Sequence, residues 1–110
     1  MKAIIDEGVP RRLAPLLRRL GADASGFPAD WKGLANGRLL DRVESAGFGC
    51  LITCDRNLRH QQAISGRSIC VIVLPAQRFE DLEPYTAAII DALATVRPGT
   101  ALVIAKSLTD

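Results

Sequence analysis

The chain has little of what covalent enzyme chemistry uses. It carries one histidine, His60, and no Gly-x-Ser-x-Gly elbow, which excludes a Ser/His/Asp triad. It has neither a Gly-x-x-x-x-Gly-Lys-Ser/Thr loop nor a Gly-x-Gly-x-x-Gly run, so the usual phosphate and dinucleotide cradles are missing. Its three cysteines, Cys50, Cys54 and Cys70, form no Cys-x-x-Cys pair and no Cys/His cluster of zinc spacing. Cys50 and Cys54 would stand roughly 13 Å apart along an extended segment, beyond disulfide reach. They read as buried thiols in a reducing compartment. No apolar run approaches the ~18 residues that cross a bilayer. Met1 leads straight into the first strand, without room for a signal peptide. The expected location is the cytoplasm, with no membrane contact. A net charge of +2, from 14 Lys and Arg against 12 Asp and Glu, is too small to announce a nucleic-acid binder by itself.

What remains is carboxylates, and two of them are placed suggestively. Lys2-Ala3-Ile4-Ile5-Asp6-Glu7 and Cys50-Leu51-Ile52-Thr53-Cys54-Asp55-Arg56-Asn57 are apolar runs that each end abruptly in aspartate. In an open parallel sheet, ligands bind in the crevice beyond the carboxyl ends of the strands. Two strands ending in Asp put two hard oxygen ligands in that crevice, the pattern of a divalent-metal site of the phosphodiesterase kind. The competing reading is that each Asp only caps the helix after it. Glu7 is a third candidate acid, Asn36 and Asn57 offer neutral oxygens near the same edge, and Arg56, Arg59 and His60 follow the second Asp, where phosphate contacts would fall.

The order of elements sets the fold class. Lys2 to Asp6 reads as a buried central strand. The helix after Pro10 carries the stripe Leu13, Leu16, Leu17 and Leu20, is kinked or delayed by Pro15, and stops at Gly21. A short strand falls within Ala22 to Phe27. Trp31 covers the core from a loop, and Asn36 is the expected N-cap of a helix that turns Leu39, Leu40 and Val43 inward and Asp41 and Glu44 to solvent. Phe48 to Cys54 and Ile69 to Leu74 read as strands, with a short helix or turn over Asn57 to Gln62 between them. A long helix is expected from about Asp81 to Val96, and a last strand from Thr100 to Ala105. This alternation predicts one domain over residues 1–110, a three-layer α/β/α sandwich with a mostly parallel central sheet of four to five strands.

Three blocks carry a family resemblance: Ile4 to Pro10, Trp31 to Gly37, and Leu51 to Arg59, the most specific part being Thr53 to Gln62. Together they resemble the short PIN-like proteins, a branch of the PIN-domain nuclease fold often regarded as toxins of bacterial toxin–antitoxin pairs. The resemblance spans essentially the whole chain and implies a PIN-like domain that holds Mg²⁺ or Mn²⁺ on acids at the carboxyl edge of the sheet and cuts RNA. Asp6 and Asp55 match two of the family's acids. Asn36 and Asn57 stand where many relatives carry further acids, which weakens the expected metal cage. The expectation is therefore a metal-dependent ribonuclease with Asp6 and Asp55 as catalytic ligands. RNA and a cognate antitoxin are its expected partners, and a homodimer its expected assembly. The alternative is a degenerate PIN-like module that binds RNA or a partner protein without cleavage. A small-molecule phosphatase on the same edge gains no further support from the residues.

Overall fold

Runs of Ile, Val and Leu without polar alternation can be satisfied only by strands covered on both faces. A computed structural model describes residues 1–106 and bears this out; the last four residues of the domain expected over 1–110 lie outside them. Five strands, β1 (Lys2–Ile5), β2 (Asp23–Ser25), β3 (Cys50–Thr53), β4 (Cys70–Val73) and β5 (Ala101–Val103), form one all-parallel sheet in the order β2-β1-β3-β4-β5. The three-layer α/β/α sandwich is therefore present. Ala3, Ile5, Cys50, Ile52, Cys70 and Ile72 pack on one face, against α1 (Leu13–Arg19), α3 (Phe79–Leu82) and α4 (Thr86–Thr95). Ile4, Leu51, Val71 and Val73 pack on the other, against α2 (Asn36–Ser45), Trp31, Leu58 of the short 3₁₀ turn Arg56–Arg59, and Ile64 and Ile69 in the segment that runs on to β4. Cys50 and Cys70 stand in register on neighbouring strands, fully buried, and all three cysteines are free thiols. The adjoining Cys70 sulfur first, and then burial, push the Cys50 thiol up, so it stays protonated. Among the described residues no helix is long and apolar enough to cross a membrane.

Several elements differ from the expectation for local reasons. Helix α1 starts late, at Leu13, which places Pro15 in the first turn, where its missing N–H is not needed. Leu20 falls outside the apolar stripe; it sits past the helix end and is half exposed. Gly21, at φ +98°, closes the helix as expected: its own N–H reaches the Arg18 carbonyl, and that of Ala22 reaches Leu17. Asn36 is not an N-cap: Ala35 holds that place without a side-chain cap, and Asn36 is the first helical residue. The long helix expected over 81–96 is broken at Pro84 into α3, a 3₁₀ turn Glu83–Tyr85 and α4, because a proline there removes a donor and crowds the preceding turn. Asp41 and Glu44 do not merely face water. They hold Arg67 at 2.7 and 2.6 Å, and Glu44 also accepts from the Ser68 N–H and hydroxyl, tying α2 to the loop before β4. Trp31 covers the core as expected, edge-on to Phe27 and Phe48.

The connections place the site. From β1 to β2 the chain steps one way along the sheet over the α1 face; from β2 to β3 it steps back across β1 over the opposite face. The strand order thus reverses between β1 and β3, and the helices leave that point on opposite sides, opening a crevice at the carboxyl ends of these two strands.

Candidate functional site

Asp6 is the first residue past β1 and Asp55 the second past β3, and the Asp6 N–H still bonds to the Ile52 carbonyl at 2.8 Å, one step beyond the strand. Thr53 is the last residue of β3, fully buried, with its hydroxyl turned toward β1. That hydroxyl donates to Asp6 Oδ2 at 2.7 Å and accepts the Asp55 N–H at 3.0 Å. One oxygen atom therefore joins the two strand ends. It also settles the hydroxyl's direction: the proton goes to the carboxylate, leaving the lone pairs for the amide.

Each remaining carboxylate oxygen has a donor of its own. Asp6 Oδ1 accepts from the Glu7 N–H at 2.7 Å; Asp55 Oδ1 accepts from the Asn57 N–H at 2.9 Å and caps the 3₁₀ turn Arg56–Arg59. Asp55 Oδ2 faces the Asn36 amide, Nδ2 at 3.4 Å, at the start of α2. The capping reading thus holds for Asp55 and fails for Asp6, since α1 begins seven residues later, at Leu13. Capping uses one lone pair of one oxygen, and an ionised carboxylate has about four such sites, so neither role excludes the other.

These residues floor an open groove of about 640 Å³. Asp6, Glu7, Asn36, Asp55 and Arg56 line it, together with Thr53, Cys54 and Gln77, while Leu34 and Leu39 supply apolar wall. Asn57, Arg59 and His60 lie on the same turn, exposed and outside the lining; Asn57 contributes its backbone N–H to Asp55. Glu7 leans across to the Gly33 N–H at 3.3 Å. Sequence reasoning missed Thr53 as a member of the site, although a hydroxyl two residues before the strand-end Asp was the available signal. It also read Cys54 only as a buried thiol. Cys54 is half-buried in the groove floor, its Sγ 3.1 Å from the Ala76 carbonyl. Burial first, and then the charge of Asp6, push this thiol up to about 11. At neutral pH it is a neutral thiol and not a competing soft ligand.

Oxygen therefore dominates the donor set: two aspartates, one hydroxyl and a neighbouring glutamate. Among the described residues no three His, Cys, Asp or Glu side chains gather into a metal cage. Such a pair suits a hard ion that keeps several waters, as Mg²⁺ does when one or two carboxylates hold it, and not an all-protein cage of the calcium or zinc kind. Asn36 presents its amide N–H to Asp55, so in this arrangement it orients the carboxylate and does not offer its own oxygen. Compared with family models, with curated proteins and with solved structures, the chain matches none.

Proposed function

We propose that the chain is a divalent-metal-dependent ribonuclease of the PIN-like type. The observation that carries the proposal is the pairing of Asp6 and Asp55 through the Thr53 hydroxyl, at the reversal point of a parallel sheet, in a groove edged by Arg56. Asp6 and Asp55 would hold Mg²⁺ or Mn²⁺, which when bound would supply Lewis-acid activation of water and neutralise phosphate charge. Thr53 fixes the Asp6 carboxylate, Asn36 and the Asn57 N–H fix that of Asp55, and the Arg56 guanidinium receives a phosphate of the substrate. The resemblance adds a toxin role in the cytoplasm, held in check by an antitoxin.

A second reading has its own supporting observation. Among the described residues two aspartates line the groove, with Glu7 beside them, and amides stand at Asn36 and Asn57, a shortage of charge that favours a module binding RNA or protein without cutting it. One experiment separates the two. Single-stranded RNA incubated with Mn²⁺ is cleaved by the wild-type chain and spared in EDTA, and Asp6→Asn abolishes cleavage while its circular dichroism stays native. Asp6→Asn is the better probe because Asp55 also caps a turn. Cleavage that persists in EDTA or in Asp6→Asn rejects the metal mechanism. RNA binding with no cleavage under any divalent ion selects the second reading.

A further inference from the structure

The amino ends of the strands, opposite the acid pair, carry a cluster of sulfur. Cys50 and Cys70 are the first residues of β3 and β4, side by side in register and fully buried. The Cys50 thiol hydrogen-bonds to the Cys70 sulfur. The Cys70 thiol in turn donates to the Gly49 carbonyl at 3.3 Å and to the Met1 thioether, with Sδ at 3.8 Å. Three sulfurs thus follow one another from the core outward to Met1, which is 57% exposed. Gly49 leaves room for this arrangement, because a Cβ there would stand 3.0 Å from Met1 Cγ. Met1 also lines a surface hollow of about 300 Å³, together with Leu20, Asp23, Ile90 and Leu93.

We infer that Cys70 and Met1 form a binding site for a soft monovalent cation, Cu(I), with Cys50 holding the Cys70 sulfur in place. Thiolate and thioether are the ligands that select Cu(I), whereas the hard ions suited to the opposite edge prefer oxygen. Zn²⁺ fits less well, because it takes four ligands drawn from cysteine, histidine and carboxylate, and two cysteines with a thioether stand here. Two sulfurs each roughly 2.3 Å from one ion are at most about 4.6 Å apart. The present separation of 3.8 Å lies within that reach, and the flexible Met1 side chain supplies any adjustment. The ion replaces the Cys70 proton, which leaves to solvent. Ion and thiolate then carry no net charge between them, as a buried place requires. Cys50 keeps its proton and donates to the thiolate, the kind of outer hydrogen bond that orients a metal ligand. The hollow beside Met1 gives the ion a way in, and the Asp23 carboxylate in its lining attracts a cation. The site lies at the far end of the strands from Asp6 and Asp55 and does not depend on the nuclease reading.

The test is an anaerobic titration with Cu(I) against a chromogenic Cu(I) chelator, in a Cys54→Ser background that removes the thiol outside the cluster. One ion per chain is retained. Cys70→Ala abolishes retention, and Cys50→Ala weakens it about 10- to 100-fold, the range for loss of a hydrogen bond to a metal ligand. Gly49→Ala, which displaces Met1, and Met1→Leu, expressed behind a cleavable tag as is its Met1 control, weaken it while both cysteines stay in place. A second readout needs no core substitution. Met1 is the sole methionine of the chain, so in the selenomethionine protein X-ray absorption at the selenium edge finds a copper neighbour only if Met1 is a ligand. A selenium edge without that neighbour refutes the site, and so does Met1→Leu binding as tightly as its control. A chain that yields all its Cu(I) to the chelator once Cys54 is replaced refutes it as well, and would put the ion at Cys54.

Discussion

At the scale of single residues, Thr53 is the group on which the site depends. It is the buried polar side chain among the described core residues, and both its hydrogen-bonding capacities are used, toward Asp6 and toward the Asp55 amide. Thr53→Val keeps the shape and removes both bonds, leaving a carboxylate oxygen and an amide N–H short of a partner in a half-buried place. Such a loss costs about 1–3 kcal/mol, which for a domain of this size lowers Tm by about 4 °C or more. Thr53→Ser, which keeps the hydroxyl, loses less. Thermal melts in EDTA read the difference; a Val variant as stable as Ser would show that the hydroxyl contributes nothing to joining the strand ends. The two aspartates were legible in the sequence because an apolar run that stops at a carboxylate marks a strand end locally. The role of Thr53 was not, because it depends on the register that sets Ile5 beside Ile52, and register is a property of two strands.

Among the elements, the strands were the most readable, since uninterrupted Ile/Val/Leu runs admit few other fates. Helix ends were less so. Pro15 allowed either a kink or a late start, and only packing of Leu13 and Leu17 against the sheet decides for the late start. The helix expected over 81–96 had the right apolar face, but Pro84 lies within that span and interrupts the rod. The polar face of α2 was misread because its partner, Arg67, lies 23 residues beyond Glu44. That clamp carries a pH dependence. The Ser68 N–H, then Arg67 and the Ser68 hydroxyl, hold the Glu44 carboxyl below its ordinary value of about 4.5. A folded-state pKa lowered in this way contributes stability that is present above the unfolded value and lost as pH falls through the folded one. Glu44→Gln should therefore lower stability at pH 7, by up to about 1 kcal/mol because the pair is partly solvent-screened. The gap to wild type should close as pH drops below the unfolded value. Parallel denaturant titrations at pH 7 and at acid pH measure it. A gap that does not change with pH would mean that packing, not charge, explains the variant.

At the scale of the whole molecule, sheet order decides what the chain can do. The β1–β2 and β4–β5 connections lie on the same face yet step in opposite directions, so they have opposite hands. About 98% of such crossovers are right-handed, and the three other connections agree among themselves, which makes the β4–β5 connection, carrying the broken helix and Tyr85, the exceptional one. The same order brings Asp6 and Asp55, 49 positions apart in the sequence, to adjacent strand ends with four donors and, among the described residues, no ion pair. An ion bound there by the folded chain alone must raise global stability by linkage. At ten times its dissociation constant the gain is about 1.4 kcal/mol, worth about 5–10 °C in Tm. Mn²⁺ should produce that rise in the wild type and not in Asp6→Asn. Asn36→Asp should shift the two states in opposite directions. Without metal it sets a third carboxylate against Asp55, in place of a donor 3.4 Å away, and lowers Tm. With Mn²⁺ it adds a charged oxygen to the ligand set and enlarges the rise. Melts of the three chains in EDTA and in Mn²⁺ decide the matter: equal metal shifts in wild type and Asp6→Asn would put the ion elsewhere, and an Asn36→Asp effect of the same sign in both buffers would leave that position outside any metal site.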